Sequence, residues 1–337
     1  MLLIWFGLAL MVEPVTEIKL ENYHRFLPQT SYNRVFLAKD DGFLAITNYQ
    51  VWHWDANGKV INQFGAKGEG PGEFVWVGQV HWDGDHYWVI DSKNLSSSVF
   101  DGKGRYLDRQ PIYFRQFVPV QDELFILDFS KVNQYKGNFP ATLKKIDYQI
   151  DGNGLSVAFT GLQFKKVSER QKDFHYNFKL VWVTRDGDDY LVVDQLEPKI
   201  RVYSPEAIAR EGKTQEDQPF EPPYVNVQAR RWVEPPNAPP DNLTNDKDFL
   251  YWWQSWSRIN YFARAGEDFI FAYEIPDERD PEESLQVIQR ISRDGRAIGK
   301  SLILNGAIMG VRRNLVYLFR EEDNEDGFSY FVRAYEF

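Results

Sequence analysis

Acidic and amide side chains recur directly after apolar, strand-like runs. Asp91 ends the run YWVID, Asp128 ends LFILD, Asp194 ends YLVVD, and Asn94 follows Asp91 by three residues. Hard oxygen ligands of this kind suit calcium. Asp side chains also close turns by accepting hydrogen bonds from nearby backbone amides. Because the position recurs three times, we interpret these acids first as repeated turn residues, with a calcium site as the alternative.

Other catalytic chemistry has weaker sequence support. The chain contains no cysteine, which excludes disulfides, thiolate metal sites and cysteine nucleophiles. It has no Gly-x-Ser-x-Gly motif, although a Ser-His-Asp set assembled from distant segments stays open. Among its five histidines, only His81 and His175 lie near the starts of repeats. Two histidines do not complete a zinc site, so zinc is not predicted.

The densest group of aromatic residues lies in a long segment at about 204–256. Two Pro-rich runs, PFEPPYV and RRWVEPPNAPPDN, precede FLYWWQSWSRINYF, which has seven aromatics in fourteen residues. Trp, Tyr and Arg dominate the energetics of protein interfaces. The segment either folds back on its own domain or binds a partner or ligand. The candidate binding residues are Arg230, Arg231, Trp232, Tyr251, Trp252, Trp253 and Trp256.

The Gly-rich stretch FGAKGEGPGEF, residues 64–74, has the composition of a phosphate-binding loop without its context. No amphipathic helix follows it, and the Lys-Ser/Thr pair of a phosphate loop is missing. Glycine permits turns with positive φ, and proline fixes one turn geometry. We therefore predict a structural turn anchored by Phe64 and Phe74. Its turn residues are Gly68, Gly70, Pro71 and Gly72.

The elements that position these residues form a repeat. RVFLAKDDGFLAITNYQVWHWDANGKVINQFG and VWVGQVHWDGDHYWVIDSKNLSSSVFDGKGRYLDRQ both alternate short strands with Asp-Gly or Asp-x-x-Gly turns. Four weaker copies follow, and the sixth ends after its third strand. A strand-like segment at about 15–26 precedes the first copy. The pattern predicts an all-β, six-bladed β-propeller of four-stranded blades, closed by an N-terminal strand that completes the last blade.

Composition agrees with a β-rich fold and argues against one class of partner. Phe, Trp and Tyr make up 16% of the chain, and aromatics favour strands. The net charge is −10, with 49 acidic and 39 basic residues. Proteins that bind nucleic acid through phosphates need a basic face, so no nucleic-acid partner is predicted.

The N-terminus carries an apolar run at residues 2–12, long enough for the core of a signal peptide and too short to span a bilayer. We interpret residues 1–13 as a truncated export signal or N-terminal arm, and residues 14–337 as a single propeller. The expected location is periplasmic or extracellular, and a cytoplasmic location stays open. No other apolar run is long enough to cross a membrane.

The segment from Gly65 to Gly104 resembles an NHL repeat, and the other five copies match it in outline. The chain is also similar to six-bladed propellers of bacterial envelopes. These relatives include calcium-dependent lactonases, with Glu, Asn and Asp ligands in the central channel, and lyases with three-histidine zinc sites. The residues that match the NHL repeat are Gly68, Gly70, Pro71, Gly72, Phe74, Asp91, Asn94, Phe100, Asp101 and Gly104.

These observations favour a non-catalytic propeller that serves as a protein-interaction or assembly module, such as a complex subunit of the cell envelope. One alternative is a calcium-dependent lactonase- or lyase-like enzyme. The other is a propeller that binds a small ligand or glycan through its Trp residues. No cofactor is predicted, with calcium kept as the alternative, and the expected partner is another protein.

Overall fold

The computed structural model describes residues 13–21, 35–111, 114–120, 123–128, 142–151, 154–163, 181–206, 223–234, 252–324 and 327–336. Six four-stranded antiparallel sheets account for most of these residues. The sheets are the blades of a six-bladed β-propeller, which confirms the fold predicted from the repeats.

Blades 1 to 3 follow the chain in order. Blade 1 contains β2 (Val35–Leu37), β3 (Phe43–Ile46), β4 (Val51–Trp54) and β5 (Val60–Phe64). Blade 2 contains β8 (Val77–Trp82), β9 (His86–Asp91), β10 (Ser96–Asp101) and β11 (Tyr106–Pro111). Blade 3 contains β12 (Phe114–Val120), β13 (Glu123–Asp128), β14 (Thr142–Asp151) and β15 (Gly154–Gln163).

Blades 4 to 6 complete the ring. Blade 4 contains β16 (Val181–Asp186), β17 (Asp189–Asp194), β18 (Lys199–Tyr203) and β19 (Tyr224–Asn226). Blade 5 contains β20 (Arg258–Ala265), β21 (Asp268–Asp277), β22 (Asp280–Ile291) and β23 (Ala297–Leu304). Blade 6 contains β24 (Ala307–Arg312), β25 (Leu315–Asn324), β26 (Gly327–Glu336) and the N-terminal β1 (Thr16–Lys19).

Strand β1 closes the ring at the outer edge of blade 6. It pairs antiparallel with β26, with Thr16 opposite Ala334 and Lys19 opposite Phe331. The amide of Leu20 continues the ladder by donating to the carbonyl of Tyr330 over 3.0 Å. Without β1, the edge of β26 would expose unpaired backbone groups. The predicted closure is confirmed for 16–19, whereas residues 22–26 of the expected segment lie outside the described residues.

Aromatic side chains fill the interfaces between neighbouring blades. Trp88 of blade 2 is fully buried and packs with Phe117 and Ile146 of blade 3. Trp54 of blade 1 is fully buried in a cluster that includes Tyr330 of blade 6. Large rings bury much apolar area per residue, which explains how the high aromatic content stabilises a fold made of short strands.

The Gly-rich stretch joins blades 1 and 2 and contains a short parallel pair, β6 (Ala66–Lys67) and β7 (Glu73–Phe74). Gly72 has φ +78°, a conformation that favours glycine. The carboxylate of Glu73 accepts from the Gly70 amide over 2.8 Å. Phe64 and Phe74, at the two ends of the stretch, pack against Phe100, with ring centroids 4.6 and 5.7 Å away.

One strand lies within the long segment at about 204–256, for which no strand was predicted. Tyr224–Asn226 is β19, the outer strand of blade 4, and its Val225 lies opposite Ile200 of β18. An outer strand tolerates a neighbouring proline because one of its edges makes no ladder hydrogen bonds. In the described part of the chain, no helix is long and apolar enough to cross a membrane.

Candidate functional site

Asp91 organises the loops at the end of β9. Its Oδ2 accepts hydrogen bonds from the Val75 amide at 2.8 Å and from the Asn94 side chain at 3.0 Å. Its Oδ1 accepts from the amides of Trp76, Lys93 and Asn94 over 3.1 to 3.2 Å. The carboxylate is fully buried, and both of its oxygens are engaged by the protein.

Asp194 holds the equivalent place at the end of β17. Its Oδ1 accepts from the amides of Leu196 and Glu197 at 2.7 and 3.2 Å. Its Oδ2 accepts from Arg201 Nη1 at 2.8 Å, and Arg201 also donates to Glu197 over 2.6 Å. Burial raises the pKa of Asp194 to about 6, and the positive charge of Arg201 opposes that shift. Asp128 ends β13 opposite Phe114, and its side chain lies outside the described part.

Glu274 occupies the same position in blade 5 and was not predicted from the sequence. Glu274 lies opposite Arg258, as Asp194 lies opposite Val181. Arg258 is only 2% exposed and donates from Nε to Glu274 over 3.1 Å, with a second bond from Nη2. The Asn260 amide donates to the other Glu274 oxygen at 3.2 Å. The signal available in the sequence is an acid directly after the apolar run FIFAY.

The aromatic residues before β20 form a compact group, here called the Trp cluster: Trp252, Trp253 and Trp256, packed against Leu196. The ring of Trp256 lies 5.7 Å from that of Trp252 and 5.0 Å from that of Trp253. Trp256 is 1% exposed, whereas Trp252 and Trp253 are partly exposed. Tyr251, the fourth aromatic of the expected group, lies outside the described residues.

Arg258 packs against two of the three rings of the Trp cluster. Its guanidinium carbon lies 4.3 Å from the ring centre of Trp253 and 5.5 Å from that of Trp256. The guanidinium also donates to the carbonyl of Trp253. A desolvated cation over an indole face gains about 2 kcal/mol, and here the same cation pairs with Glu274. The cluster therefore has a rigid base.

The segment that contains Arg230, Arg231 and Trp232 is joined to the segment of the Trp cluster by a contact between Val233 and Ser257. The Ser257 amide donates to the carbonyl of Val233 at 2.9 Å, and the Val233 amide donates to the Ser257 hydroxyl at 2.8 Å. This pair of hydrogen bonds joins the two stretches that contain the candidate binding residues.

The three residues differ in their surroundings. Trp232 packs edge-on against Tyr273, with ring centroids 5.6 Å apart. The backbone of Arg230 bonds to Gln289 and Tyr273. The side chain of Arg231 is 49% exposed, and its guanidinium lies 3.3 Å from the carboxylate of Glu278. Arg231 therefore lies at the surface in an ion pair with Glu278, whereas Trp232 packs against the core of blade 5.

The first strands of all six blades surround a central cavity of about 600 Å³. Val80, Val118 and Val183 contribute to its apolar wall. Among the described residues that line it, the only titratable ones are His81, Tyr261 and Arg264. The described lining contains no carboxylate, and the described residues include no group of three His, Asp or Glu placed to hold a metal ion.

Most polar side chains of this cavity are bonded to neighbouring strands. Gln79 bonds to the backbone of Phe117 in the next blade, and Gln116 bonds in the same way to Val181. Asn260 exchanges hydrogen bonds with Gln286 of its own blade. These side chains therefore hold the wall together.

His81 differs from them because no described residue hydrogen-bonds its ring. Burial lowers the pKa of His81 to about 4, against the opposing effect of Asp83. The imidazole is therefore neutral at ordinary pH and carries one donor and one acceptor nitrogen.

His81 also lines a second cavity of about 670 Å³ at one end of the channel. Several charged groups at this mouth are bonded within the protein. Lys145 lies 3.0 Å from Glu123, and Arg312 donates to the carbonyl of Ala38 at 2.5 Å. Asp83 accepts from the hydroxyl of Tyr148.

Comparisons with known proteins support the fold and do not indicate a function. No family model and no curated protein matches the sequence. A DUF4221-family structure from Bacteroides vulgatus is 10% identical, has a TM-score of 0.57, and aligns over 96% of this chain and 97% of its own. A Bacteroides fragilis protein described as exported is 10% identical, has a TM-score of 0.53, and aligns over 96% and 94%. At this identity the similarity supports the six-bladed propeller, and the resemblance to NHL repeats stays a prediction.

Proposed function

We propose that this propeller is a non-catalytic binding module that holds a protein partner in the cell envelope. The binding surface comprises the partly exposed Trp252 and Trp253, together with Arg231 on the segment that Val233 joins to Ser257. The observation that carries the proposal is the packing of these two indoles on the buried Trp256, and of Trp253 on Arg258, which is paired with Glu274.

A rigid base matters for binding because association immobilises side chains at a cost of about 0.5–1.5 kcal/mol each. Arg258 holds the carbonyl and the ring of Trp253 before any partner arrives. Little rotamer freedom is then left to lose. Trp and Arg are also the residue types that most often dominate binding energy.

The contacts of the recurring acids argue against a calcium site at Asp91 or Asp194. Asp91 accepts five hydrogen bonds from the loops around it, and Asp194 accepts three. A calcium ion at either residue would have to displace these donors. The cost of leaving buried amides unpaired, about 1–3 kcal/mol each, opposes that exchange.

The envelope location rests on two observations. Residues 2–12 have the length and apolarity of a signal-peptide core. One structural neighbour, the Bacteroides fragilis protein, is described as exported. Fractionation of the native host with an antibody to this chain tests the location, and recovery only in the cytoplasm would contradict it.

The binding role is tested by isolating partners from native envelope extracts and measuring their affinity for variants. Trp252→Ala with Trp253→Ala should weaken binding by at least about tenfold, since hot-spot truncations cost 2 kcal/mol or more. Trp76→Ala, at a partly exposed Trp directly before the first strand of blade 2, is the matched control and should bind normally. Equal binding by all three proteins would contradict the proposal.

A further inference from the structure

We propose that the central cavity is a second binding site, for an uncharged, mainly apolar small molecule that hydrogen-bonds to His81. This site is separate from the Trp cluster and goes beyond the protein-binding role. Its volume of about 600 Å³ lies within the 300–1,000 Å³ typical of small-molecule pockets.

The charge of the lining selects the ligand class. The described lining contains no Asp, Glu or Lys. The one guanidinium, that of Arg264, lies 3.1 Å from Asp186 and is already paired. A charged ligand would lose its hydration without gaining a counter-ion, which costs far more than burying a neutral molecule.

The polar groups of the lining restrict the ligand further. The amides of Gln79 and Gln116 are held by the backbone of the next blade, and Asn260 is held by Gln286. The hydroxyl of Tyr261 accepts from the Val311 amide at 3.0 Å. His81 lines both cavities, and no described residue bonds its ring. It therefore offers a specific polar contact to a ligand.

The protonation of His81 agrees with a neutral partner. Because burial lowers its pKa to about 4, the ring stays uncharged between pH 5 and 8. An acidic ligand would find no cation there, and a neutral ligand with one donor or acceptor would find a matching nitrogen. Ligand binding should accordingly change little across this pH range.

Two dyes with the same ring system test the charge selectivity. N-phenyl-1-naphthylamine is neutral and carries one N–H donor, and 8-anilino-1-naphthalenesulfonate adds a negative charge. Trp82 and Trp182 line the cavity, so energy transfer from tryptophan reports binding. We expect the neutral dye to saturate at one per chain and to bind at least about tenfold more tightly than the sulfonate.

Two variants of the full chain place the neutral dye in the cavity. His81→Phe keeps a planar ring without hydrogen-bonding nitrogens and should weaken binding about tenfold. Ala263→Phe places a large ring in the lining and should abolish saturable binding. Trp76→Ala lies outside the lining and should bind like the wild type. Thermal unfolding of each variant verifies that it is folded.

Three results would overturn the proposal: equal affinity for both dyes, more than one neutral dye bound per chain, or wild-type affinity in a folded His81→Phe or Ala263→Phe variant. Each would mean that the dye binds elsewhere and that the cavity does not select an uncharged ligand. Loss of partner binding at the Trp cluster would leave these measurements unchanged, so the two proposals fail separately.

Discussion

The side-chain amide of Gln79 in blade 2 forms two hydrogen bonds with the backbone of Phe117 in blade 3. Its Nε2 donates to the Phe117 carbonyl at 3.1 Å, and its Oε1 accepts from the Phe117 amide at 2.5 Å. Gln116 repeats the arrangement on Val181 of blade 4, at 3.0 and 3.2 Å. The first strands of these blades lie in different sheets, so the glutamines supply polar contacts that no strand ladder provides between them.

Replacing Gln79 with Leu should reduce the free energy of unfolding by about 2–4 kcal/mol, because an apolar side chain leaves the Phe117 amide and carbonyl without these partners. Denaturant titration measures the change. Gln63→Leu is the matched control: Gln63 is exposed, and among the described residues its side chain bonds only that of Gln50, so the effect should stay within about 0.5 kcal/mol. Similar effects for both variants would show that the contact does not stabilise the ring.

Removal of β1 should destabilise the whole propeller. A chain that begins at residue 22 lacks the partner of β26 and the buried Leu20, unlike a chain that begins at residue 13. The exposed edge of β26 should also promote self-association. Thermal unfolding and size-exclusion chromatography compare the two chains. Equal melting temperatures would contradict the stabilising role of closure.

The Trp cluster should divide into a structural and a binding part. Trp256→Ala removes a buried ring and should cost about 3–5 kcal/mol, as expected for truncation of a core aromatic. Trp252→Ala and Trp253→Ala remove partly exposed rings and should each cost less than about 1.5 kcal/mol, below that core range. Calorimetry or denaturant unfolding ranks the three. Core-like losses at Trp252 and Trp253 would assign them to packing and remove the basis for the binding surface.

His81 should make stability depend on pH. Its folded-state pKa of about 4 lies below the ordinary value of 6.5, so the unfolded chain takes up a proton first as the pH falls. The contribution to stability is complete above pH 6.5 and is lost progressively as the pH falls to 4 and below, by about 3 kcal/mol in total. Burial also lowers the pKa of His53, which acts in the same direction.

The comparison is therefore between the wild type and His81→Gln, each unfolded in denaturant at pH 7 and pH 4.5. The loss of stability between these two pH values should be smaller in the variant. An identical loss in both proteins would show that folding does not lower the pKa of His81.

Chelation tests whether the recurring acids bind a metal ion. If Asp91 and Asp194 serve as turn residues, dialysis against EDTA should leave the melting temperature unchanged, and added calcium should not raise it. A metal that binds only the folded state stabilises it by mass action. A rise in melting temperature that saturates with calcium would instead assign these acids to a metal site.

The parts of the fold that depend on local sequence could be predicted from it. Asp-Gly turns and alternating apolar residues lie within a few positions of each other, and they indicated six blades and the outer place of β1. Strand β19 was missed because a long segment, rather than a short turn, separates Tyr224 from β18.

The binding features were harder to predict because they depend on contacts between distant segments. The Gln79–Phe117 contact joins residues 38 positions apart, and the Val233–Ser257 contact joins residues 24 positions apart. Nothing in the neighbourhood of either residue indicates its partner. The free hydrogen-bonding capacity of His81 likewise depends on which strands surround the channel.

The pairing of β1 with β26 also has a consequence in time. Glu17 and Arg333, joined across this pair, lie 316 positions apart, so the ribosome makes Glu17 long before it makes Arg333. Domains generally form during synthesis from the N-terminus, and pairing over long separations is slow. The earlier blades can therefore assemble while β1 is still unpaired. A nascent chain that stops short of residue 327 lacks β26, and its ring stays open.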